Sequence, residues 1–236
     1  FPAGGGSDVG RHQRGEAGDF WSLTWPGALG TLTAIAPGRF AAALNQAPQE
    51  RPIDGWDFLG LDAIANTWTT YFGAAAMPPL HLLRRTFETA RDFATARKML
   101  ETTELTTATI FTLAGLEAGD TCVIERTRTA FQTKTGLASA ANIWRYSTFP
   151  GAWAGREGDD DPRGDSLERA AKIEAFAGRA AESFEWVTPP VRNGLTRLAV
   201  EAIPGTGRLR AVGYEQDPAN EEDAVPATLV LDMVLD

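Results

Sequence analysis

The stretch LGTLTAIAPGRFAAALNQAP, residues 29–48, carries the pattern that decides the fold of this chain. Two short apolar runs flank the Pro37-Gly38 step, and a proline followed by a glycine is a strong turn signal. Apolar runs on both sides of such a turn predict a β-hairpin, with strands near Gly30–Ile35 and Arg39–Asn45. Antiparallel pairing is therefore expected to organise the fold.

Outside this hairpin, helical periodicity comes first and further strands follow. Apolar residues at helical spacing predict helices over Leu59–Phe72 and Pro79–Ala90, and Asp92 has the side chain of an N-cap for the next helix. Residues 1–20 are rich in glycine and predict a mobile loop. Strands are predicted at Thr107–Leu113, Thr121–Arg126, Thr127–Gln132, Leu137–Asn142, Leu195–Ile203, Leu209–Tyr214 and Ala227–Leu231, and a helix at Ser166–Glu182.

This order of elements is typical of an α+β protein, in which helices are layered against antiparallel sheets. No segment has the composition of a linker between domains. We therefore expect a flexible glycine-rich segment over residues 1–20 and a single domain over residues 21–236.

The composition excludes several kinds of site and partner. The chain has 236 residues, a net charge of −9, two His and one Cys. One Cys forms neither an intramolecular disulfide nor a thiolate zinc site, and the negative charge argues against a nucleic-acid partner. No apolar run approaches the roughly 20 residues that a membrane span needs. We expect no metal and no cofactor. No signal peptide is visible, although a removed one would leave no trace, and a cytoplasmic location is favoured.

Few side chains stand out as chemical groups. Cys122 lies in the middle of a predicted strand, which favours a buried apolar role over a nucleophile. His12 and His81 have no neighbouring motif. The acidic runs 159–161 and 221–223 lack the ligand spacing of a calcium loop and are expected to be solvated.

Two carboxamides at predicted strand ends are more informative. Asn45 and Asn142 each follow an apolar run, where a carboxamide either closes a turn or donates hydrogen bonds to an oxyanion. From the spacing alone, the turn is favoured. Arg169 lies early in a predicted helix, where a cation opposes the helix dipole.

Short segments in a fixed order link these residues to a known family. They are residues 24–30 with 36–48, then Cys122–Arg126, Ala141–Trp144 and Asp165–Arg169. Together they resemble the N-terminal-nucleophile hydrolases of linear amides, a superfamily that includes choloylglycine hydrolase, penicillin V acylase, acid ceramidase and the penicillin-biosynthetic acyltransferase.

The resemblance implies an αββα sandwich, with two antiparallel sheets face to face and helices outside. It also implies that a mature N-terminal Cys, freed by autocleavage, attacks an amide carbonyl with its own α-amine as the base. By resemblance, Asn45 and Asn142 help to form the oxyanion hole, and Arg169 holds the surroundings of the nucleophile. Trp25, Phe40 and Trp144 are the candidates for the substrate pocket.

The chain also departs from the family pattern. It begins at Phe1, contains no Cys before Cys122, and has Ile143 where the family pattern has His. We therefore expect the nucleophilic Cys upstream of residue 1, on a first strand that the domain over 21–236 lacks. The expected activity is hydrolysis or acyl transfer at the C–N bond of a small-molecule amide with an apolar acyl group.

Two other hypotheses stay open. The chain is alternatively a catalytically inactive binding module or partner-stabilised protein of the same fold, since a missing strand leaves a sheet edge open to strand addition. A homo-oligomer is one such assembly. An unrelated enzyme with Glu125 or Asp57 as its base is the third reading.

Overall fold

The structure, a computed structural model, describes residues 10–24, 29–48, 76–150, 166–176 and 184–235. Within these ranges, seven strands form an antiparallel sheet, sheet A, in which neighbours in the chain are neighbours in space. Its strands are β1 (Gly10–Gly15), β2 (Gly18–Leu23), β3 (Thr33–Ala36), β4 (Phe40–Gln46), β5 (Thr109–Ala114), β6 (Thr121–Arg126) and β7 (Phe131–Thr135).

The hairpin predicted around Pro37-Gly38 is present as β3 and β4. Gly38 has a φ of +67°, a conformation that glycine adopts without strain. Next to it, the Arg39 guanidinium donates hydrogen bonds to the carbonyl oxygens of Phe87 and Ala90, at 3.1 and 2.7 Å. The turn is therefore tied to the helix layer described next.

The loop prediction for residues 1–20 is wrong for its described part. Residues 10–15 and 18–23 pair as a hairpin, in which Gly15 lies opposite Gly18. Tertiary contact stabilises this strand against its weak propensity, because the Ala17 N–H donates to the Glu88 carbonyl at 2.8 Å. A Cβ on Gly15 would come within 2.6 Å of Glu88 Cα, so only glycine permits this approach.

Two helices pack on one face of sheet A, which we call the outer face. Helix α1 spans Pro79–Thr89 and helix α2 spans Phe93–Thr102. Asp92 caps α2 as predicted, since its side chain accepts from the Thr95 N–H at 2.7 Å. A core of apolar side chains fills this layer, including Phe20, Phe40, Leu82, Leu83, Phe87, Leu100 and Phe111.

A second antiparallel sheet, sheet B, packs on the inner face of sheet A. It consists of β8 (Leu198–Ile203), β9 (Arg208–Asp217), β10 (Asn220–Pro226) and β11 (Leu231–Val234), all paired with β9. Leu209, Ala211 and Leu235 of this part of the chain pack against Leu23, Ile35 and Ala41. The two sheets therefore meet over β2 to β4.

Three strand predictions differ from the structure. The strand predicted at Thr127–Gln132 lies instead at Phe131–Thr135, because the Ala130 N–H donates to the Thr127 hydroxyl at 2.9 Å and closes a turn. Residues 227–230 separate β10 from β11 instead of forming the core of a last strand, because the Thr228 hydroxyl accepts from the Gly213 N–H at 2.9 Å. Residues 137–142 are not a strand either. The chain turns at Gly136, with a φ of +81°, and then packs as a loop over the inner face.

The third described helix, α3, spans Ser166–Phe176 and begins where the periodicity predicts. Its buried residues are Ser166 and Ala170, whereas Leu167, expected on the buried stripe, is 50% exposed. The predicted helix over residues 59–72, Asp57 and the acidic run 159–161 lie outside the described residues.

The architecture confirms the expected α+β sandwich of two antiparallel sheets with helices layered outside. Of the helices that the structure describes, none has the length and apolar character to cross a membrane.

Candidate active site

The inner face of sheet A carries a row of polar and apolar side chains near one end of the strands. Asn45 on β4 is paired with Ile110 on β5, and Ile110 is paired with Glu125 on β6. Residues directly opposite each other in an antiparallel sheet project to the same face. Asn45 and Glu125 therefore face the same side, separated by one strand.

Asn142 lies at this end of the sheet, on the loop that follows β7. Its Nδ2 donates to the carbonyl oxygen of Gln46 at 2.9 Å. Its Oδ1 accepts from Arg169 Nη2 at 3.4 Å, and the same nitrogen donates to Ser166 Oγ at 2.8 Å. The structure thus brings three residues singled out from the sequence, Asn45, Asn142 and Arg169, to one place.

Helix α3 positions the arginine of this cluster. Ala170 is fully buried and packs against Ala141 and Ile143, on either side of Asn142. Ile143, which stands where the family pattern has His, therefore serves as an apolar contact between the loop and α3. This contact places Arg169 beside the carboxamide.

The three predicted pocket aromatics have different surroundings. Trp144 packs edge-on against Phe149, with ring centroids 5.1 Å apart, in the apolar cluster that includes Ile110. Phe40 lies on the outer face instead, fully buried with its ring centroid 4.7 Å from that of Phe87. It belongs to the helix-facing core and not to this cluster, because side chains alternate along β4. Trp25 lies outside the described residues.

A cavity of about 230 Å³ lies between the sheets beside this cluster. Small side chains create it, because Ala41, Ala43 and Ala114 leave the space below β8 unfilled. Val200 and Ala202 of β8 line the cavity, and within the described residues β8 pairs with β9 alone. Asn45 is two residues along β4 from Ala43, so the cavity adjoins the polar cluster.

Cys122 is buried on the outer face, 3% exposed and packed in the helix-facing core. Burial raises the pKa of its thiol to about 11. A protonated thiol on the wrong face of the sheet is a poor nucleophile for chemistry at Asn142. This agrees with the apolar role expected for it.

Sequence reasoning weighed Glu125 only as a base and passed over Arg145. Glu125 is 1% exposed, and its carboxylate accepts from the backbone N–H groups of Arg145 and Tyr146. A carboxylate directly after the apolar run Cys122–Ile124 of a buried strand was the signal for such a contact. In the described part of the chain, no group of three His, Cys, Asp or Glu side chains is arranged to hold a metal ion.

No family model matches the chain, but comparison with known proteins finds similarity both in sequence and in structure. The sequence is 30% identical to a probable acid ceramidase of Caenorhabditis elegans over 129 residues, 53% of this chain. The match covers 29% of that relative, so the chain corresponds to less than a third of its length.

Among solved structures, the chain is similar to the Caenorhabditis elegans orthologue of N-acylethanolamine-hydrolysing acid amidase. It matches with a TM-score of 0.55 and 21% identity, over 79% of this chain and 75% of that chain. This match shows a shared fold. The shared fold and the sequence relationship together confirm that the chain resembles the N-terminal-nucleophile hydrolases of linear amides.

Proposed function

We propose that the protein cleaves or transfers acyl groups at the C–N bond of linear amides whose acyl group is apolar. The observation that carries this proposal is the Asn142 carboxamide, held between Gln46 and Arg169 beside a cavity lined with small side chains. A carboxamide nitrogen has two N–H donors, and Gln46 accepts from one of them. The other is suited to an oxyanion.

The proposed nucleophile is a Cys at the start of a strand that precedes residue 1 in the uncleaved protein. The strand would pair with the edge of β8 that has no strand partner among the described residues, and this pairing would satisfy the backbone donors and acceptors of that edge. Two observations support this arrangement: the cavity leaves room between the sheets, and Cys122 faces the helices.

The proposed reaction then follows the chemistry of an N-terminal nucleophile. After autocleavage, the free α-amine takes the thiol proton, and Sγ attacks the carbonyl carbon of the amide. The carbonyl oxygen becomes an oxyanion that accepts hydrogen bonds from Asn142, with Asn45 as the second donor. The amine leaves with the proton, and water or an acceptor amine then cleaves the acyl thioester.

The test uses the complete natural protein and an N-acyl amide that releases a fluorescent amine. We expect release of the amine and a mass increase of one acyl group at the N-terminal Cys. Asn142→Ala is expected to lower kcat by about 10²–10³, the usual effect of removing an oxyanion donor. Asn220→Ala, a carboxamide on β10, is the matched control and should keep the wild-type rate.

Equal rates in the two variants would exclude the role of Asn142. The absence of both fluorescence and acyl adduct would exclude the enzyme.

A second function is favoured by one observation, the edge of β8 that has no strand partner among the described residues. In this alternative the protein is a binding module that a partner, or a second copy, completes by strand addition. N-terminal sequencing and light-scattering mass at two concentrations separate the alternatives. A mature chain that starts with Cys and stays monomeric supports the enzyme, whereas a concentration-dependent mass and no such Cys support the module.

A further inference from the structure

Glu125 presents a buried carboxylate for which the proposed reaction has no direct use. Burying an ionised carboxylate is unfavourable unless hydrogen bonds replace its water. Glu125 is 1% exposed at the end of β6, and it faces the same side of sheet A as Asn45. Its surroundings therefore indicate what its charge stabilises.

Among the residues that the structure describes, the hydrogen-bond donors to Glu125 come from one short loop. Its Oε1 accepts from the Arg145 N–H at 2.6 Å and from the Tyr146 N–H at 3.1 Å. Its Oε2 accepts from the Tyr146 N–H at 3.2 Å and from the Ser147 hydroxyl. The carboxylate thus fixes the backbone of three consecutive residues, which begin three positions after Asn142.

The side chain of Arg145 extends this anchor to both sides of Asn142. Its guanidinium donates to Ser139 Oγ, before Asn142 in the chain, and to Glu174 on α3. Glu174 and Arg169 lie on the same helix, so the Arg145–Glu174 ion pair holds the loop against the helix that carries Arg169. Glu125 therefore supports a frame that surrounds the carboxamide.

We propose that Glu125 is a positioning residue that orients the Asn142 carboxamide through the backbone of residues 145–147. The inference rests on the proposed function, because the orientation matters only if Asn142 donates to an oxyanion. It replaces the idea of Glu125 as a base, since both of its oxygens are occupied by the loop and it is shielded from solvent. A displacement of about 1 Å at a catalytic donor lowers the rate by up to about 100-fold.

The test compares Glu125→Gln with a matched control, Glu101→Gln. Glu101 is also a largely buried carboxylate, and it accepts from Arg97 at 2.7 Å and Thr133 at 2.7 Å, but on the outer face of sheet A. Three quantities are measured in the complete natural protein: the unfolding midpoint, the kinetics of amide cleavage, and the NMR signals of the Asn142 side-chain NH₂. These signals are assigned by their disappearance in Asn142→Ala.

We expect the two glutamine variants to lose similar amounts of stability, while only Glu125→Gln affects Asn142. In that variant the NH₂ signals should shift and exchange faster with solvent, and kcat should fall by about 10- to 100-fold with KM little changed. Unchanged NH₂ signals and an unchanged kcat in Glu125→Gln would overturn the proposal. If Glu125→Gln does not fold, Ser147→Ala removes one donor and carries the same readouts.

The NMR readout also separates this inference from the proposed function. If the wild-type protein cleaves no amide but the Asn142 signals change in Glu125→Gln, the enzymatic function is refuted and the positioning contact is retained. Normal cleavage in Glu125→Gln with undisturbed signals refutes the positioning role and keeps the enzyme.

Discussion

The two faces of sheet A use the same strands for different purposes. Along β4, Phe40 and Ala42 face the helices, whereas Ala41, Ala43 and Asn45 face the other sheet. The outer face is filled by aromatic and leucine side chains, with Phe20 stacked on Phe87 at a centroid distance of 5.4 Å. The inner face is lined by small side chains, which leave an open cavity.

This difference shows how one sheet supports both stability and a site. Large side chains on the outer face exclude water and supply most of the apolar contact of this layer. Small side chains on the inner face give up part of that contact and leave space beside Asn45. Alternation along a strand allows this separation, because neighbouring residues project to opposite faces.

The largest expected effect is a truncation on the outer face. Phe87→Ala should lower the free energy of unfolding by about 3–5 kcal/mol, because it leaves a cavity in a fully packed layer. Val123→Ala on the inner face should lower it by roughly 1–2 kcal/mol, since it removes two buried carbons next to existing space. Urea unfolding of both variants measures the difference. Equal losses from the removal of six carbons and of two would mean that the inner face is the more tightly packed one per buried carbon.

The pH dependence of stability near the pKa of Cys122 tests whether water is excluded from the outer face. Its pKa of about 11 lies above the ordinary value of 9.0, so the folded state keeps the thiol proton more tightly than the unfolded state. The contribution of this thiol to the free energy of unfolding is therefore fully present below about pH 9 and is lost as the pH rises to about 11. The loss is at most about 3 kcal/mol. Unfolding free energies at pH 8 to 11 should fall less steeply in Cys122→Ala. Identical slopes would show that water reaches the thiol.

Enlarging neighbouring alanines on β4 separates the faces within one strand. Ala42→Leu on the packed face should cost about 1–3 kcal/mol through overpacking, while Ala43→Leu should cost under about 1 kcal/mol because its side chain enters the cavity. Thermal unfolding of the two variants provides the measurement. A larger loss for Ala43→Leu would contradict the assignment of the cavity to the inner face.

The smallest expected effect concerns the helix cap of the outer layer. Asp92→Ala should cost about 1 kcal/mol, because it removes the acceptor of the Thr95 N–H. This hydrogen bond lowers the pKa of Asp92, so its contribution is present above the unfolded pKa and disappears as the pH falls through the folded pKa. Unfolding at pH 7 and at pH 2 checks both points, since the difference between wild type and variant should be larger at pH 7 than at pH 2.

Much of the fold could be predicted from local signals. The Pro37-Gly38 turn, the Asp92 cap and the bounds of β6 at Thr121–Arg126 agree with the sequence pattern. The segment after β7 could not be predicted to be a loop, because its apolar residues at 137–141 are typical of a strand. Its course depends on Glu125, about 20 residues earlier in the chain.

By itself, the sequence determined the α+β class, the hairpin at the centre of sheet A and the residues that carry the family resemblance. Turn chemistry, capping and periodicity are local properties, and each depends on residues a few positions apart. Only the tertiary structure decided that Asn142 contacts Gln46 at the end of β4, although the two residues are 96 positions apart in the sequence. It also decided that Phe40 and Cys122 face the helices. Such contacts join distant parts of the chain, so no local pattern contains them.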